Sequence, residues 1–264
     1  MKLAWWTTLI LLPVSLFAQS KAIPRTADGK PDLTGVWQAN SNRRGTWEQA
    51  NSSGDLGGGG AGVPPPRANP QVARERAPYQ PWAAKKVLES FNRRGIDDPT
   101  AYCLPPGVPR VSSVGLFPMQ IVQTPQTIVM MYEYLNTFRN IPINAKHPDD
   151  LEPSFMGDSV GHWEGDTLVV DVTSFNDKTW LTATGTFHSE ALHVTERYTR
   201  TDQDTIQYEA TMEDPSVLTK PWVFRSNIMR REGTRLREYV CDENNVDRAR
   251  YDELLKDESV FRRK

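Results

Sequence analysis

The chain has 264 residues, with 31 Lys and Arg against 33 Asp and Glu and a formal net charge of −2. That length suits one domain with a substantial core, and the balance excludes the clustered basic excess of a nucleic-acid surface. Met1-Lys2 and the apolar run to Phe17 are too short to span a bilayer and end on Leu16-Phe17-Ala18, so residues 1–18 read as a cleavable export signal.

Export places the mature chain in the periplasm or medium, with no membrane span once the signal is removed. Residues 19–30 read as a linker and 31–245 as one domain. Within it, residues 51–70, with Gly57 through Gly60 and Pro64-Pro65-Pro66, read as a flexible loop, because such composition buries too little apolar area to fix itself. Pro81-Trp82 opens a helix over 81–95 that ends at Gly95. Residues 98–118 hold five prolines and read as an irregular arm around Cys103. Cys103 and Cys241 are the two cysteines of the chain, and an oxidising compartment favours their pairing as a disulfide.

From Met119 the apolar period becomes two, the signature of strands. Four hairpins are expected: Met119–Thr124 with Thr127–Tyr134, Gly157–Trp163 with Thr167–Thr173, Leu192–Arg200 with Thr205–Glu213, and Val223–Met229 with Arg235–Cys241. Successive hairpins without long intervening helices imply an antiparallel sheet or barrel, and the charged tail 246–264 is expected to form a short helix with a frayed end.

Register then nominates chemistry. If Leu192, Val194 and Tyr198 share a face with Ile206, Tyr208, Ala210 and Met212, Glu196 lies on that apolar face. A carboxylate there must be paired or protonated, which makes it a candidate acid–base group or half of an ion pair with an arginine of a neighbouring strand. His162 precedes the Glu164-Gly165-Asp166 turn. A two-residue turn puts it on the face of Asp171, a proton-transfer pair in prospect, while a three-residue turn turns it inward; both remain open. His188, Glu190 and His193 form the densest polar patch, but their spacing matches no zinc helix motif and no metal is expected. The catalytic candidates are therefore His162, Asp171, His188, Glu190, His193 and Glu196. Tyr132, Trp163, Trp180 and Tyr198 are candidate ligand contacts, and Arg139 is a candidate anchor for an anionic group or a partner of Glu133 or Glu152. The chain has no Gly-x-Ser-x-Gly elbow, phosphate-cradling loop or Cys-x-x-Cys pair, and no cofactor is expected.

The segment Gly157-Asp158-Ser159-Val160-Gly161-His162-Trp163-Glu164-Gly165-Asp166-Thr167-Leu168-Val169-Val170-Asp171 resembles the signature of a family of secreted bacterial proteins of uncharacterised function. Asp32–Trp37, Phe175–Trp180, His188–His193, Glu196–Tyr198, Asp214-Pro215, Pro221-Trp222 and Glu238–Cys241 fit the same pattern, which covers 31–245. Family members often carry Asp-Gly-Arg where this chain has Asn144-Ala145-Lys146 before His147. Separately, Gly35-Val36-Trp37 ahead of antiparallel hairpins resembles the Gly-x-Trp opening of lipocalin-type barrels, which implies a lipocalin-like (calycin-type) β-barrel around one small ligand. The leading expectation is an exported barrel binding a small, largely apolar molecule. The alternatives are a hydrolase, lyase or isomerase built in that pocket, and a polysaccharide-binding surface of exposed tryptophans.

Overall fold

The structure is a computed structural model that describes residues 22–39, 77–93, 96–113, 117–182, 185–243 and 245–256. The export signal and the Gly- and Pro-rich loop expected above lie outside the described residues. Nine strands form one antiparallel sheet: β1 (Gly35–Ala39), β2 (Met119–Gln123), β3 (Thr127–Tyr132), β4 (Phe138–Pro142), β5 (Asp158–Glu164), β6 (Thr167–Thr173), β7 (His193–Arg200), β8 (Thr205–Glu213) and β9 (Trp222–Arg230). Their order is β4-β3-β2-β1-β9-β8-β7-β6-β5, and the two end strands meet through one parallel bridge, Ile143 to Gly161, so the sheet curls into a nearly closed barrel.

Strict alternation explains why the sheet curls around an apolar interior. β8 buries Ile206, Tyr208, Ala210 and Met212 while Thr205, Gln207, Glu209 and Thr211 point outward. Trp37, Trp222, Phe224, Ile121, Ile128 and Met130 complete the inner face. Each such side chain contributes about 1.5–3 kcal/mol by leaving water. Trp37 donates its indole N–H to Leu33 O at 2.8 Å, and the buried Arg200 guanidinium stands 5.2 Å from its ring centroid. Gly35 has φ +144°, outside the range that residues with a side chain favour, and a Cβ there would lie 3.5 Å from the Trp37 indole nitrogen.

Two expectations need correction. Arg235–Cys241 does not pair with β9; it is irregular and largely exposed, and β1 takes that edge through Trp37–Arg230, Gln38–Met229 and Ala39–Ile228. The apolar residues of 235–241 do not alternate as an inner face requires. β4 was not foreseen, because Phe138-Arg139-Asn140 alternates an exposed aromatic with a buried cation, the inverse of the usual pattern.

The helices are peripheral. Helix α1 (Pro81–Asn92) opens on its proline and buries Ala83, leaving Trp82, Leu88 and Phe91 exposed. The short α2 (Arg110–Ser113) belongs to the arm and is wholly buried. A buried bidentate pair, Arg110 Nη1 and Nη2 to Asp98 at 2.8 and 2.6 Å, fixes that arm. Cys103 and Cys241 form the disulfide, 138 residues apart in sequence, which ties the arm to the segment before helix α3 (Val246–Lys256). Closing so long a loop restricts the unfolded chain, so Cys103→Ser with Cys241→Ser is expected to lower unfolding free energy by about 3–5 kcal/mol. Urea denaturation of oxidised protein and double variant, with the barrel's circular dichroism retained, checks this.

Candidate functional site

Glu196 lies on the buried inner face of the barrel. The pairing of β7 with β6 and β8 sets it opposite Val170 and Ala210, and it is 0% exposed. Arg200 pairs with Ile206 and the Thr201 amide donates to Thr205 O, which leaves the three-residue loop Asp202–Asp204 that the sequence register required, so Val194, Glu196, Tyr198 and Arg200 all turn inward. Arg139, on β4, reaches it from across the barrel: Nη2 lies 2.6 Å from Glu196 Oε2. Arg139 Nε and Nη2 also donate to Ser159 Oγ on β5 at 3.2 and 2.9 Å. Its partner is thus neither Glu133 nor Glu152; Glu133 instead accepts the Arg237 amide at 2.8 Å.

Three tyrosines surround the pair. The hydroxyls of Tyr198 and Tyr208 donate to Glu196 Oε1 at 2.9 and 2.7 Å. Ser112 of α2 shares hydrogen bonds with the hydroxyls of Tyr132 and Tyr198, at 3.0 and 3.2 Å. Burial, and then the Glu196 charge, push the Tyr198 and Tyr208 hydroxyls well above their ordinary pKa, so both remain donors. Burial opposes the Arg139 charge, but the Glu196 carboxylate outweighs it and holds the guanidinium protonated. Even so, Arg139 Nη1 has no hydrogen-bond partner among the described residues, and Glu196 Oε2 meets the guanidinium as an ion pair without an aligned hydrogen bond.

A second cluster stands on the outer face of the same strands. His147, in the segment after β4, places Nδ1 2.6 Å from Asp158 Oδ2 and Nε2 2.9 Å from Asp171 Oδ2. His193 Nε2 contacts the other oxygen of Asp171, and its Nδ1 lies 3.7 Å from Glu213 Oε2. For Asp171, burial acts upward, but the bonds from His193 and His147 prevail and lower its pKa. Among the described residues, no His, Cys, Asp or Glu group has the arrangement to hold a metal ion.

The structure therefore distributes the sequence candidates among separate places. Glu196, Tyr132, Arg139 and Tyr198 meet inside the barrel, and Asp171 and His193 meet outside it. The turn after β5 is the two-residue Gly165-Asp166, with Glu164 opposite Thr167, so His162 does share the Asp171 face. It is exposed, however, and contacts Glu164 at 3.3 Å rather than Asp171. His188 is buried away from both clusters, bonded to Thr179 Oγ1 at 2.6 Å and to Ser189 O at 2.9 Å, and burial lowers its pKa. Glu190 is exposed. Trp180 packs in the core beside Phe187, and Trp163 is half-buried under Lys30. Ser112, Ser159, Tyr208 and His147 were not nominated. Tyr208 sat on the predicted inner face, whereas the others depend on contacts between distant segments. A groove of about 310 Å³ lies outside, across β7–β9, and its two arginines, Arg197 and Arg225, are paired with Glu164 and Glu209.

No family model matches the chain, its signature segment included, and no curated protein matches it significantly. Among solved structures, a point mutant of the fluorescent protein UnaG overlaps 76% of this chain and 97% of its own, at 12% identity and a TM-score of 0.32. So loose an overlap carries no argument, and the barrel stands on its strand pairing.

Removing one member of a buried pair strands the other's charge. Arg139→Met is expected to cost about 3–5 kcal/mol, while Arg139→Met with Glu196→Gln recovers most of the loss because both tyrosines can still donate to the amide oxygen. Urea midpoints of the single and double variants check this.

Proposed function

We propose that the protein is an exported barrel that binds a small, largely apolar molecule with one anionic or polar group, which Arg139 and the neighbouring hydroxyls hold. The buried pair carries this reading. Replacing such a pair by apolar side chains of similar volume is often neutral or stabilising, so stability alone gives it weak justification. A buried guanidinium nitrogen without a partner is a further reason to look for a ligand. A ligand carboxylate accepting from Nη1 would satisfy it, and the aromatic and aliphatic inner face would bury the ligand's body. The disulfide supports an oxidising compartment, and no helix of the described residues is long and apolar enough to cross a membrane.

The other readings have less support. A pocket enzyme using His162, Asp171, His188 and Glu196 together would need groups that lie on opposite sides of the sheet. A polysaccharide surface would need a row of exposed indoles, and of the described tryptophans Trp82 is exposed whereas Trp37, Trp180 and Trp222 are buried.

The test is fluorescence titration with dansylaminoundecanoate, an apolar chain ending in a carboxylate, and with its methyl ester. Binding to the wild type is expected to weaken by about 10–100-fold in the ester and in Arg139→Met with Glu196→Gln, the loss of one charge-assisted hydrogen bond. No binding to the wild type, or equal binding of acid and ester by both proteins, contradicts the proposal.

A further inference from the structure

The barrel has one junction unlike the others. Eight neighbouring pairs of strands are joined by ladders, whereas β4 and β5 meet only at the Ile143–Gly161 bridge, with the Asn144 amide donating to Gly161 O at 2.7 Å. That approach needs glycine: a Cβ at Gly161 would lie 2.9 Å from Ile141 Cγ2 and 3.0 Å from Ile143 Cδ1. Side chains therefore do what hydrogen-bonded backbone does elsewhere. Inside, Arg139 of β4 grips Ser159 of β5 and Glu196 of β7. Outside, His147 leads back from the end of β4 onto Asp158 of β5 and Asp171 of β6.

We infer that the β4–β5 junction is the opening edge of the barrel and that His147, bridging Asp158 and Asp171, is the proton-operated latch that holds it shut. Its role as the ligand's way in rests on the binding proposed above; the latch itself does not. The arm is a poorer door, because the Arg110–Asp98 pair and the Cys103–Cys241 bond both anchor it.

The chemistry follows from the ring. A carboxylate oxygen accepts hydrogen bonds, so an imidazole with a carboxylate at each nitrogen satisfies both only when both nitrogens carry hydrogen. Loss of one proton leaves a lone pair facing a carboxylate oxygen and removes the cation between two anions. The charged groups facing His147 are Asp158 from β5 and Asp171 from β6, with His193 of β7 and Glu213 of β8 behind Asp171. Lys146 and Asp149 flank it in its own segment. Burial disfavours the imidazolium, but the bonds to Asp158 and Asp171 outweigh it and raise the pKa above the ordinary 6.5. A pKa higher in the closed state than in the open one gives a contribution that is complete below the open-state value and lost as pH rises through the closed-state value. Asp171, whose pKa is lowered, stays ionised throughout that interval. The latch is thus shut while His147 is protonated and released as pH rises through its raised pKa.

Residue-resolved amide exchange, expressed as protection factors to remove the intrinsic pH dependence, tests the latch. Protection of the Asn144 amide is expected to fall by about tenfold or more from about pH 6 to about pH 9, while amides of the β7–β8 ladder hold theirs. In His147→Gln it is expected to be low at every pH. Wild-type protection that does not change with pH overturns the latch, even if the variant does not fold. So does a folded variant that retains the wild-type profile. The association rate of dansylaminoundecanoate is expected to rise over the same pH range and to be already high in His147→Gln. A rate indifferent to both removes the seam as the route, and a seam that opens in a protein that never binds the probe contradicts the binding proposal alone.

Discussion

Arg139 and Glu196 can meet only if the sheet closes. Arg139 belongs to the strand at one end of the sheet order, Ser159 to the strand at the other end, and Glu196 to the third strand in from there. A flat sheet would leave the guanidinium in water and the carboxylate stranded on an apolar face, where an unpaired charge is strongly unfavourable. Curling until β4 lies beside β5 brings the two charges together at a junction where, among the described residues, a single backbone bridge is supplemented by side-chain contacts inside and outside the barrel. The buried pair thus requires the closed barrel, and leaving either charge without its partner penalises the closed state.

The same strands carry chemistry on both faces because successive side chains point oppositely. Asp158 receives His147 outside while its neighbour Ser159 receives Arg139 inside. On β7, His193 faces the outer cluster and Glu196 the inner one. Movement of β5 relative to β4 would therefore disturb both faces at once. Across the lumen, α2 adds a rigid boundary: Ser112 spaces Tyr132 from Tyr198, and its helix is fixed by the Arg110–Asp98 pair.

Much of this was legible in sequence where contacts are local. Period-two patterning located β2, β3 and β5–β9, and register alone put Glu196 on the inner face, because a slip of one residue would have exposed every apolar side chain of β7. What escaped was set by distance along the chain. Arg139 could not be matched with Glu196 without β4, whose exposed Phe138 hides its pattern, and without closure of the barrel. His147 stood among four clustered histidines, but its two carboxylate partners come from different strands. The fourth hairpin failed because proximity along the chain argued for Arg235–Cys241, whereas β1, nearly two hundred residues upstream of β9, supplies a better edge. Export and the glycine-rich loop concern residues outside those described.

The most direct measurement is a high-resolution crystallographic map of the interior beside Arg139, from protein grown with dansylaminoundecanoate. The account predicts density for a carboxylate oxygen within hydrogen-bond reach of Nη1, with the chain running along the tyrosine-lined inner face. A dry interior with Nη1 packed only against carbon, or an Arg139 side chain turned out to solvent with the probe bound elsewhere, would contradict it.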